Sequence, residues 1–114
     1  MHPAWPKGWD ASSFLIDPWT YNYMGSRWVS QRNKKVEDHS GTHSTLVLQK
    51  KALDMLEIAG REGEQFFMML APVAPHVEIA AGGERPPTAP PMFKCKFESE
   101  MVPRWPNFNP DIPR

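Results

Sequence analysis

The sequence predicts an α/β chain, and three observations carry that prediction. Leu48, Ala52, Met55, Leu56 and Ala59 recur at helical spacing and lay an apolar stripe along one face. Shortly after them comes "QFFMMLA", a continuous apolar run without alternation, the pattern of a strand buried on both faces of a helix-covered sheet. Ahead of the helix, "WTYNYM" and "RWVSQR" flank Gly25-Ser26, and β-prone aromatics around a two-residue turn predict a hairpin.

The elements follow in three stretches. Residues 1–40 hold an irregular start, interrupted by Pro3, Pro6, Gly8 and Pro18, with a short "SSFLI" strand before Asp17-Pro18 and then the aromatic hairpin. Tyr21, Tyr23, Trp28 and Val29 suit its pleated surface, and "NKKVEDHSG" reads as a solvated loop. Residues 41–76 form a helix–strand unit. Thr42 or Ser44 caps the helix start, Gly60 is the expected C′ residue, and Lys50, Lys51, Asp54 and Glu57 occupy the outer face. Residues 77–114 read as Pro-rich coil, with "FKCKFES" a short extended piece. Eight of the 13 prolines fall in this last stretch, which has too few regularly placed apolar residues for a core of its own.

Bulk properties narrow the function classes. At 114 residues the chain has room for one small domain, yet five tryptophans, four of them in the first 28 residues, need more core than it can supply. Thirteen Lys and Arg balance 13 Asp and Glu, so no global field points to nucleic acid or a membrane surface. Cys95 is the single cysteine, which excludes an intrachain disulfide and a C-x-x-C site. The longest apolar stretch, residues 66–74, is short of a membrane span and contains Pro72. The opening "MHPAWPKGWD" has Trp, Pro and charge where a signal peptide needs an apolar segment.

The candidate site residue is His76. It stands just past the apolar run, where open α/β sheets place ligands, and Pro72 and Pro75 stiffen the exit. Spacing alone favours an ordinary exposed loop histidine. His39 and His43 are four apart, a spacing that chelates metal on a helix, but Gly41 between them predicts a loop. A solvated loop is the better reading of that pair. Lys34-Lys35 reads as loop charge. Cys95, between Lys94 and Lys96, lacks a nearby His or Asp and reads as a free structural thiol. No nucleophile elbow, phosphate-cradling glycine loop or H-E-x-x-H motif occurs, so no catalytic residue and no metal ligand is assigned.

"FFMMLAPVAPH" resembles the strand of the sulfatase family that runs "PFFLYLAPxAPHxP", and arylsulfatases and N-acetylglucosamine-6-sulfatases in particular carry "FFMM" followed by "APH". "HSTLVLQKKALDML" is similar to the family's "YSTDxLTDKALDFL" directly before that strand. "TYNYMGSRWVSQRN" resembles the strands preceding the helix, and "VPRWPNFN" resembles the later "APRNxNFN". The order and spacing agree over nearly the whole chain.

The resemblance implies a partial alkaline-phosphatase-like fold, with the chain an internal slice of a much larger catalytic domain. It implies a parent that hydrolyses aryl or carbohydrate sulfate esters through formylglycine and calcium, with a secreted or lysosome-like location. It implies that His76 contacts the sulfate, as the histidine of the "APH" motif does. A cationic or donating imidazole there would stabilise negative charge on the transferring group. Departures from the family are equally specific. Cys95 is followed by Lys, Phe and Glu rather than completing C-x-P-x-R, and the family's metal-ligand segments and "KWH" have no counterpart. Leu46 stands where the family often has Asp, and Val77-Glu78 replace a small residue and Pro, setting a negative charge beside the expected anion site. Formylglycine and calcium are therefore expected outside this chain, which by itself is expected to be inactive. The competing reading is a degenerate, non-catalytic module derived from a sulfatase.

Overall fold

The computed structural model of the chain describes residues 5–63 and 65–108. Three short strands open it: β1 (Ser13–Leu15), β2 (Arg27–Ser30) and β3 (Val36–Asp38), antiparallel in the order β1-β2-β3. Trp28 sits opposite Leu15 on one side and Glu37 on the other, while Val29 faces Phe14 and Val36. Trp28 and Val29 are buried, so the centre strand carries the sheet's apolar payload. The Trp28 indole donates to the Ser26 hydroxyl at 3.0 Å, which supplies its buried N–H with a partner.

The expected hairpin is half right. "RWVS" is a strand, but its first partner is "SFL" rather than "WTYNYM". Residues 19–25 instead run through consecutive turns, held by Trp19 N–H to the Ile16 carbonyl and Asn22 N–H to the Trp19 carbonyl. Those turns take Tyr21 and Tyr23 out of the sheet and toward the segment around His76.

The helix α1 (Ser44–Glu62) forms where the periodicity places it. Neither Thr42 nor Ser44 caps it: the cap is His43, whose Nδ1 accepts from the Thr45 N–H at 3.2 Å. The helix also runs past Gly60 and stops at Gly63, whose φ of 69° is the left-handed conformation that favours glycine. The Gly63 N–H closes onto the Ala59 carbonyl at 3.2 Å, and Arg61 pairs with Glu57 across the last turn. Lys51 reaches from α1 to Glu37 on β3 and ties helix to sheet.

The apolar run departs most from expectation. Residues 65–70 are neither paired nor buried: Phe67 is 80% exposed and Met69 68%. A doubly buried strand needs neighbours on both edges and cover on both faces, and among the described residues nothing provides them. Phe67 meets the Trp9 ring with centroids 6.1 Å apart, and at Ala71, Pro72 and Val73 the segment lines a narrow gap against Leu15, Trp28 and the start of α1.

Past His76 the predicted coil contains a small hairpin, β4 (Glu78–Ala80) with β5 (Gly83–Arg85), turning through Ala81 and Gly82, with Gly82 and Gly83 both at positive φ. "FKCKFES" is not extended; its Phe93 closes a 3-10 turn (Pro91–Phe93), and the rest runs through further turns. The accessible surface is 9673 Å². A compact chain of 13.1 kDa would expose roughly 6400 Å². The radius of gyration, 18.2 Å, likewise exceeds the roughly 13 Å of a compact domain of this length. The described residues form a mixed α/β assembly without a closed core.

A candidate anion-contacting site at His76

Two tyrosines from a distant turn and the backbone on either side of His76 build its seat. The Tyr23 hydroxyl donates to the His76 carbonyl at 2.7 Å, and the Tyr21 ring stacks under the imidazole with centroids 4.3 Å apart. The Ile79 N–H donates to the Tyr21 carbonyl at 3.0 Å, so the segment after His76 is tied to the turn that supplies both tyrosines. His76 N–H closes on the Val73 carbonyl at 2.9 Å, and the Ala74-Pro75 peptide is cis. The backbone on either side of the imidazole is thereby anchored while the ring itself stays exposed.

Glu78 braces this seat from behind. Its carboxylate is fully buried and accepts from the Tyr23 N–H at 3.2 Å, from the Thr88 hydroxyl at 2.6 Å and from Arg85 through both Nε and a terminal nitrogen at 3.0 Å. The forked Arg85 contact holds the carboxyl below the usual carboxylate range; burial works against it, and the Thr88 and Tyr23 donors add to the lowering. Burial raises the Tyr23 hydroxyl, and the Glu78 charge raises it further, so this phenol stays a donor. The sequence places Glu78 as a negative charge beside an anion site. In the structure that charge is buried and spent on three donors.

His43 also departs from its expected place in a solvated loop. It is 2% exposed, stacks on Tyr23 at 5.1 Å, accepts at Nδ1 from Thr45 and donates from Nε2 to the Thr88 carbonyl at 2.7 Å. Both ring nitrogens are committed, so His43 organises the knot and has none to offer a ligand. His39 lies apart from it, against Glu37 at 3.2 Å. Burial pushes Glu37 upward, but hydrogen bonds from Lys51, Asn33 and His39 outweigh it and bring it down to about 2.

The side chains of the described residues do not fit formylglycine or calcium. Cys95 is exposed, and its hydrogen bond with Glu98, aided by slight desolvation, raises the thiol rather than activating it. Among the described residues no group of three or more His, Cys, Asp or Glu side chains could hold a metal ion. No helix among them is long and apolar enough to cross a membrane. Of the supporting residues, Tyr21 and Tyr23 are visible in the sequence as aromatics but were expected on a strand. Arg85 and Thr88 carry no sequence signal, because only the β4–β5 turn brings them to Glu78.

The described residues form an open α/β piece that presents one histidine on a braced aromatic seat. Comparison with known proteins gives that piece relatives. The chain is 33% identical over 95 residues to sulfatase ppz1 of Metarhizium majus (strain ARSEF 297), a match covering 83% of this chain and 22% of that protein. It is 30% identical over 71 residues to an arylsulfatase of Volvox carteri, covering 62% of this chain and 11% of that one. No protein-family profile matches the chain, and no solved structure matches it. Both matches support placing the chain with the sulfatase family, and the chain spans about a fifth or less of these relatives' length.

Proposed function

We propose that the chain forms one wall of a sulfate-ester hydrolase site, in which His76 contacts the sulfate group. The observation that carries this reading is the exposed imidazole anchored by Tyr21, Tyr23 and the Glu78 brace. Such anchoring is what a group needs if it is to meet developing charge without reorganising. The β4–β5 turn removes the objection that Glu78 would repel the anion, since its carboxylate is neutralised by Arg85. The nucleophile and metal of the family lie outside what these residues can build, so the wall contributes contact and orientation, and the chain alone turns over no sulfate ester. The substrates expected of the complete protein are aryl sulfates or sulfated sugars.

Titrating the purified chain with inorganic sulfate while following the His76 ring tests the reading. A saturable response, abolished in His76→Ala, supports it. Aryl-sulfate turnover by this chain that disappears in His76→Ala would overturn the division of labour.

A further inference from the structure

We propose that an anion contact at His76 takes up one proton, because the Val77 carbonyl pins the neutral ring in the tautomer that cannot donate to the anion. The inference deepens, and rests on, the sulfate-contact reading. His76 Nδ1 lies 2.9 Å from the Val77 carbonyl oxygen. A carbonyl only accepts, so Nδ1 carries the proton and the neutral ring is left with a lone pair at Nε2. Stacking on Tyr21 at an interplanar angle of 26° and the anchored carbonyl resist a ring flip that would exchange the two nitrogens.

A sulfate ester offers oxygen acceptors to that nitrogen. Lone pair against lone pair is repulsive, and only a second proton, taken from solvent onto Nε2, converts the contact into N⁺–H···O. The proton stays on the ring, the ester keeps its charge, and no bond of the ester changes. The titratable groups packed around His76 do not supply that proton. The Tyr23 hydroxyl is spent on the His76 carbonyl, the Tyr21 ring lies flat beneath the imidazole, and Glu78 is neutralised against Arg85. In its neutral state the same nitrogen instead takes a hydroxyl donor, so one residue discriminates an anion from an alcohol by protonation.

The test is nitrogen-15 NMR of the His76 ring in the full chain, assigned with His76→Ala, with inorganic sulfate as the probe between about pH 5 and 8. Sulfate keeps its charge over this range, so any pH dependence belongs to the protein. The expected neutral ring is the Nδ1–H tautomer. Sulfate affinity should fall about tenfold per pH unit above the pH at which the free ring loses its proton. In His76→Gln, whose amide donates without titrating, the residual sulfate response of the Val77 amide should be independent of pH. A neutral ring protonated at Nε2, or a sulfate response in the native chain that ignores pH, overturns the proton linkage while leaving the sulfate contact standing. No sulfate response at His76 at any pH overturns both.

Discussion

Two regions of this molecule invert the usual relation between polarity and burial. Around Tyr23 a polar knot is closed: Ser26, His43, Ser44 and Glu78 are buried, and each has a hydrogen-bond partner. At residues 65–70 the most apolar segment of the chain lies open to solvent. Burial requires partners, and polar groups find them locally through turns and caps. A strand with two apolar faces needs whole sheets, which local chain cannot provide. The knot is therefore satisfied internally, whereas among the described residues the apolar run has little cover beyond the Phe67–Trp9 contact.

The sharpest way to break this contrast is to unbalance the knot. Glu78→Ala leaves Arg85, Thr88 and the Tyr23 N–H without their shared acceptor and should cost about 2–4 kcal/mol. The loss should appear in urea unfolding, with the His76 ring no longer stacked on Tyr21. A smaller cut is Tyr23→Phe, which deletes one hydroxyl donor to the His76 carbonyl and should cost about 1 kcal/mol. Retention of wild-type stability and of the His76 ring shift in that variant would remove Tyr23 from the seat.

Acid tests the knot and the helix–sheet tie together. Glu37 and Glu78 are both depressed in the folded chain, Glu37 from 4.5 to about 2, so the folded state binds fewer protons. Their contribution is fully present above the ordinary carboxylate range and is lost as pH falls through the folded values. Stability should therefore decline on acidification from about pH 4.5 toward 2, and Glu37→Gln should flatten part of that decline. An acid limb unchanged in Glu37→Gln would argue against the Lys51–Glu37 tie. The smallest effect on stability belongs to the open segment. Phe67→Lys with Met69→Lys, both at exposed positions, should change the unfolding free energy measured in urea by no more than about 0.5 kcal/mol. The same pair should sharply reduce binding of a hydrophobic dye and self-association, because it interrupts the exposed apolar patch. A large loss of stability instead would mean that the segment is packed.

The legible parts were those governed by short-range rules. The apolar stripe at 48, 52, 55, 56 and 59 located α1, although the left-handed glycine that ends it is Gly63 rather than Gly60. Trp28 and Val29 read correctly as a strand, but its partner did not, since "SFL" and "TYNYM" carry equally good strand propensity. Glu78 shows the limit most clearly. In sequence it is a charge two residues from the candidate histidine, and only the β4–β5 turn reveals that Arg85 folds back to neutralise it.

By itself the sequence determined the helix, the centre strand, the stiff proline-flanked exit and the position of His76, all consequences of periodicity and backbone restriction within a few residues. Tertiary structure alone decided which rings support His76 and that His43 is a buried cap. Those outcomes depend on contacts between residues some 45 to 55 positions apart. No local rule encodes them, because each is settled by whether a distant donor, acceptor or apolar surface arrives.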